Sequence, residues 1–197
     1  MSSVKLTADS GGGTVELKAP ASTTSNAAKT LTISPDGLLG ITNYDEWHLT
    51  SALSLNTNSD TDLTANLSRQ TAISALGSAM TESSGVFTFP STGIWRVRCI
   101  GHFYRSGGNR AYVGWYIKYT ANNGTSWSSA AAAGDNMTDK GGYNVYVSPI
   151  CEATFDITDT SQQKVKFVGF ASEASVTLDA SDSYGLVPLS FTRIGDT

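Results

Sequence analysis

At 197 residues and 20.7 kDa the chain can hold one well-buried core and a small appendage, since a domain of about 150 residues buries roughly 70% of its unfolded surface. Only 15% of the residues are charged, 13 Lys and Arg against 17 Asp and Glu, and the net charge of −4 comes without a dense basic block, so nothing favours nucleic acid as a partner. No apolar run approaches the ~20 residues of a membrane span, and Met1 is followed by polar residues rather than a basic segment and an apolar stretch, so the expectation is cytosolic synthesis without membrane insertion.

Residues 1–39 contain no Trp, Tyr, Phe, His or Cys. Their large apolar side chains come in pairs, Val4 and Leu6, Val15 and Leu17, Leu31 and Ile33, separated by "ADSGGG" and "APASTTSNAAKT". The first two pairs flank a glycine-rich turn and predict a hairpin, but such a segment cannot offset its own ordering entropy by burial. The expectation is an extended N-terminal β arm, long enough at about 130 Å to cross a neighbouring subunit, with those six residues as its attachment contacts. The "SGGGT" run lacks the lysine and the strand-to-helix setting of a phosphate loop and reads as turn chemistry.

From residue 44 onward the pattern has a period of two. In "WHLTSALSL" Trp47, Leu49, Leu53 and Leu55 fall on one side, with His48 and Thr50 on the other. The interval 63–80, "LTANLSRQTAISALGSAM", is the one helix-like stretch. Strands are then predicted at 86–89, 93–104, 111–120, 143–147, 153–157, 164–170, 175–178 and 188–194, with turn-rich joints such as "SGGN", "ANNGTS" and "DKGG" between them. Short strands joined by tight turns in about 155 residues indicate an all-β two-sheet sandwich or jelly roll. Cys99 and Cys151 lie far apart and read as small packed side chains rather than a disulfide.

Two strands show apolar residues on both sides. The 93–104 strand places Trp95, Val97, Cys99, Gly101 and Phe103 inward, yet its outward side carries Ile94, Ile100 and Tyr104 among arginines. Opposite the core-type Val113, Trp115 and Ile117, the 111–120 strand carries Tyr112 and Tyr116. A monomeric sandwich should have a cleaner polar exterior, so Ile94, Ile100, Tyr104, Tyr112 and Tyr116 are expected to bury against copies of the chain around a three-fold axis.

No set of catalytic groups converges in the sequence. His48 and His102 are the only histidines and both read as outward strand positions; Glu46, Glu82, Glu152, Asp156 and Glu173 are too scattered to nominate an acid and base pair. The acidic loops "DNMTDK" (135–140) and "DASDS" (179–183) lack calcium-loop spacing, so no metal or other cofactor is expected. Trp127 and Tyr143 sit in loops and are candidate contacts for a stacked sugar.

The run "SSGVFTFPSTGIWRV" (83–97) resembles the glycine, aromatic and proline pattern of the C1q and tumour-necrosis-factor-like jelly-roll superfamily, and "LSFTRIGDT" (189–197) resembles its last strand. With "DEWHLTSAL" (45–53), the combination is similar to the C1q-like knobs of structural proteins in tailed, particularly marine, phages; the 1–39 segment is similar to leading segments of their fibre proteins. The resemblance implies a homotrimeric jelly-roll knob at 44–197, carried by the 1–39 arm on other virion proteins of capsid or tail. The resulting expectation is a non-enzymatic virion structural protein made in the host bacterial cytoplasm, a surface fibre or appendage that contacts a host glycan. Capsid decoration is the alternative because no fibrous shaft is visible, and a secreted lectin-like glycan-binding module is a further one. The lack of a collagen-like stalk and of a secretory signal weighs toward the virion.

Overall fold

The computed structural model of the chain describes residues 41–70, 75–106, 111–138, 141–180 and 186–197. The predicted arm contacts Val4, Leu6, Val15, Leu17, Leu31 and Ile33 lie outside the described residues. Among those described, every regular element is a strand: β1 (Asn43–Leu49), β2 (Leu53–Ser54), β3 (Ser59–Asp62), β4 (Leu67–Arg69), β5 (Thr81–Ser83), β6 (Val86–Thr88), β7 (Gly93–Ile100), β8 (Phe103–Ser106), β9 (Ala111–Thr120), β10 (Ser128–Met137), β11 (Asn144–Val147), β12 (Ile150–Ile157), β13 (Lys164–Ala171), β14 (Val176–Leu178) and β15 (Pro188–Gly195).

Two five-stranded antiparallel sheets, β12-β7-β15-β1-β4 and β10-β9-β13-β6-β5, enclose the core, and a four-stranded sheet, β11-β8-β14-β2, continues it. The period-two pattern decides which residues go inside. Trp95, Val97 and Cys99 of β7 and Phe191 of β15 meet Val113, Trp115 and Ile117 of β9 and Phe167 of β13, all buried. At the centre Phe87 lies edge-on to Trp47 and Phe167, each at 5.5 Å, and tilted on Phe191 at 4.9 Å. Such edge and offset contacts suit the ring quadrupoles.

Local chemistry sets the joints. Ser84 and Gly85, with φ of 52° and 81°, form the two-residue turn between β5 and β6, and a Cβ on Gly85 would stand 1.8 Å from the Leu63 carbonyl oxygen. Asp45 is buried inside the sandwich and accepts from Arg69 Nε at 2.9 Å, from Trp47 Nε1 at 3.0 Å and from the Met80 amide at 2.9 Å, so its charge is paired and its lone pairs are used. This carboxylate ties β1 to β4 and to the entry of β5.

Four sequence expectations are corrected. The 63–80 interval forms no helix among its described residues: β4 occupies 67–69, and Leu76 exchanges backbone hydrogen bonds with Tyr44. The 93–104 strand breaks at 101–102, where Gly101 donates to the Pro149 carbonyl but proline has no N–H to return, and β8 leaves for another sheet. The third correction is β10, a ten-residue strand of seven Ser, Ala and Gly residues followed by Asp135, Asn136 and Met137, with no β-branched residue, which sequence reading left as a connection. The fourth concerns His48: read as a polar outward strand position at a surface or interface, it is only 3% exposed within the single chain.

Truncating the central ring should cost far more than truncating an exposed one. Phe87→Ala is expected to lower stability by about 3–5 kcal/mol, and Tyr143→Ala by no more than about 0.5 kcal/mol, in urea unfolding at one protein concentration.

Candidate functional site

Alternation gives the β12-β7-β15-β1-β4 sheet a second face, turned away from the core. There a depression of about 360 Å³ is lined by Tyr44 and Glu46 of β1, Gln70, Arg96, Arg98 and Ile100 of β7, and Pro188, Ser190 and Thr192 of β15. Thr192 is buried, and the Tyr44 hydroxyl donates to the Glu46 carboxylate. Burial, then that hydrogen bond and the negative charge of Glu46, push the Tyr44 phenol up to about 12. Arg96 Nε and Arg98 Nε stand 3.9 and 4.0 Å from Glu152 Oε2, outside hydrogen-bond distance, so both guanidinium groups retain donors that can turn to another partner.

The five predicted interface residues do not share one face. Ile94 and Ile100 lie on this outer face of β7, and Ile100 lines the depression. Tyr112 and Tyr116 project from β9 on the opposite outer surface of the sandwich. There they cover glycines: a Cβ on Gly134 would meet the Tyr112 hydroxyl at 2.1 Å, and one on Gly114 would touch the Tyr116 hydroxyl at 3.4 Å. Tyr104 belongs to the third sheet, directly opposite Tyr146. One flat contact cannot contain all five.

The two candidate sugar platforms differ in how much of the ring is open. Lys166 Nζ sits 5.0 Å above the Trp127 ring, and Lys166 also pairs with Asp62 at 2.6 Å, so one face of the indole is taken by a cation. Tyr143 is 77% exposed. The nearby rings of His102, Tyr146 and Tyr104 stack at 5.4 and 5.8 Å with interplanar angles of 23° and 26°.

His102 is half-buried in the joint between β7 and β8 rather than on an open strand. Its Nδ1 lies 3.1 Å from Ser148 Oγ, while Asp179 Oδ2 is 4.0 Å from Nε2. A serine, a histidine and an aspartate therefore meet, which the sequence spacing did not show. The carboxylate is too distant to orient the imidazole, and Pro149 after the serine has no N–H to offer an oxyanion, so the trio lacks two working parts of a nucleophilic triad. Of the acidic loops, the described parts show Asp135 and Asp179 accepting from the amides of Asn136 and Ala180, and no three His, Cys, Asp or Glu side chains converge among the described residues.

No family model matches the chain, and no curated protein matches it in sequence. Solved structures do match in shape. Murine APRIL at pH 5.0 has a TM-score of 0.56 at 12% identity, covering 77% of this chain and 98% of that one. Eiger TNF from S. frugiperda has a TM-score of 0.55 at 9% identity, covering 78% of this chain and 93% of that one. The fold is a TNF-like jelly roll. The expected sandwich is thereby specified in topology, and at such identities the likeness is one of fold alone. Within this TNF-like jelly roll the sequence singled out Ile100 in the depression; the lining groups Tyr44, Glu46, Arg98 and Thr192 were not nominated, although alternation in 93–100 already placed Arg96 and Arg98 beside Ile94 and Ile100.

The raised Tyr44 phenol makes a testable pH signature. Folding favours its neutral form, so its contribution is intact below pH 10, the ordinary tyrosine value of 10.0, and is lost as pH climbs toward about 12. Tyr116, also raised mainly by burial, adds a loss of the same sign as pH rises above 10.0. Urea midpoints measured from pH 9 to 12 should fall less steeply in Tyr44→Phe than in the parent chain; equal slopes would remove Tyr44 from the effect.

Proposed function

We propose that the chain is a non-enzymatic structural subunit that assembles as a homotrimer through the outer face of β12-β7-β15-β1-β4, and that it forms the knob of a tailed-phage surface fibre or appendage held by the 1–39 arm. The observation that carries the assembly reading is the composition of that face. Half-buried Tyr44, Ile94, Ile100 and Pro188 are interleaved with Arg96 and Arg98 of one sign and Glu46 and Glu152 of the other. A face holding both signs beside apolar patches lets one part of it meet a different, oppositely charged part on the next copy, the heterologous contact that closes a three-fold ring.

The opposite outer face offers less. Lys118 pairs with Asp60, Lys166 with Asp62 and Trp127, and Tyr112 and Tyr116 already cover glycines. The TNF-like fold supports the three-fold arrangement, as does the trimeric habit of the superfamily that "SSGVFTFPSTGIWRV" resembles. The virion placement rests on the likeness of the 45–53, 83–97 and 1–39 segments to phage structural proteins. In that placement the arm adds its short strands to neighbouring virion subunits, where backbone hydrogen bonds replace the core it cannot build.

Sedimentation of the full chain should give a species of three chains. Arg98→Glu should shift it to single chains with the β-sheet spectrum retained, whereas Tyr112→Ser should leave the trimer intact; dissociation by Tyr112→Ser alone would move the interface to the other face. Phage particles assembled with a chain lacking residues 1–39 should lose the protein, and retention would place attachment outside the arm.

A further inference from the structure

Cys99 and Cys151 stand directly opposite each other in the β7 and β12 pairing. Both are reduced and buried, at 0% and 2% exposure, and the chain contains no other cysteine. Two register steps away Gly101 donates to the Pro149 carbonyl at 2.9 Å, which makes Cys99 and Cys151 a hydrogen-bonded pair, with Cα atoms about 5.5 Å apart. That spacing falls inside the ~4.4–6.8 Å range of disulfides. Side chains at such a pair are less close than at the alternate positions, so bond closure requires a small local shift of one strand. β12 has room to make it: among the described residues it is the edge of its sheet, with β7 as its sole ladder partner.

We propose that Cys99 and Cys151 form a modification site, a latent intrachain disulfide that closes under peroxide and ties the edge strand β12 to β7. The first sulfur to react is that of Cys151, whose thiol is drawn down by the hydrogen bond from Cys99, while burial pushes the Cys99 thiol well above its ordinary range. The Cys151 thiolate attacks one oxygen of hydrogen peroxide and the O–O bond breaks. The product is a sulfenic acid, and the expelled hydroxide takes the proton Cys151 gave up. The sulfur of Cys99 then attacks Sγ of Cys151, the S–O bond breaks, and the departing hydroxide leaves with the Cys99 proton as water. Two thiols are oxidised by two electrons, and one peroxide is reduced to two waters. This inference depends on the strand register and not on the assembly reading.

The test uses the reduced full chain, freed of reductant and exposed to hydrogen peroxide while folded, then blocked, denatured and weighed. The expected result is loss of both thiols together, a mass lower by about 2 Da, and a tryptic species joining residues 99–105 to 141–164, all reversed by dithiothreitol. In Cys99→Ser the reaction should stop at a sulfenic acid on Cys151 that dimedone traps. The proposal is overturned if both thiols survive while an unfolded control oxidises, if the bond forms between chains, or if each sulfur gains oxygen independently without the 2 Da loss. The parent chain's mass alone decides the matter should the variant fail to fold.

Discussion

The register of β7 against its two neighbours is the constraint on which the rest of the structure depends. Trp95, Val97 and Cys99 face Phe155, Ala153 and Cys151 on one side, and Val97 and Cys99 face Phe191 and Leu189 on the other. A slip of one residue would turn Arg96 and Arg98 into a core that holds Trp115, Ile117 and Phe167. Unpaired guanidinium groups there would cost several kcal/mol each, so hydrophobic burial and charge solvation specify the same alignment. The same alignment produces both consequences developed above: it exposes the mixed face around the depression, and it sets the two thiols opposite each other.

Why one outer face is more available than the other follows from how its polar groups are satisfied. On β9 and β13 the lysines reach acidic partners on β3, and tyrosines lie over glycines, so that surface has closed its own contacts. On β7 the arginines hang beyond hydrogen-bond distance of Glu152, beside apolar groups of β7 and β1 that are half-covered. Ion pairs of that looseness contribute little within one chain, and re-forming them with a second copy loses little. An unsatisfied mixed face is a better docking surface than a uniformly apolar one, because charge fixes the rotation at which two copies meet.

Much of the fold was legible because strands buried on one side write a period of two into the sequence. The stretches 93–100, 111–120, 164–170 and 188–194 carry it plainly, and all four are central strands. β10 was illegible for a physical reason: it is an edge strand rich in Ala and Ser, residues of low β propensity, and its Gly134 lies under the Tyr112 ring, where a Cβ would clash. Gly101 looked like one more inward position, and only pairing with a proline revealed that the ladder ends there. The helical reading of 63–80 failed because Arg69 serves the buried Asp45 and the chain is held by bridges to β1, a tertiary demand that local propensity does not record. For the candidate site, alternation named Ile100 of β7, which lines the depression. It also named Tyr112 and Tyr116 of β9, because an aromatic that covers a glycine in its own sheet and one on a half-covered mixed face look alike in a linear pattern.

The central claim is that copies of this jelly roll meet through the face of β7 that its register turns outward. An electron cryomicroscopy map of the purified full chain tests it most directly. The account predicts a three-fold particle with Arg96, Arg98 and Ile100 of each copy facing the axis and Tyr112 and Tyr116 on the outside. A map showing a single chain, or one with the two tyrosines at the axis and the arginines in solvent, would contradict it.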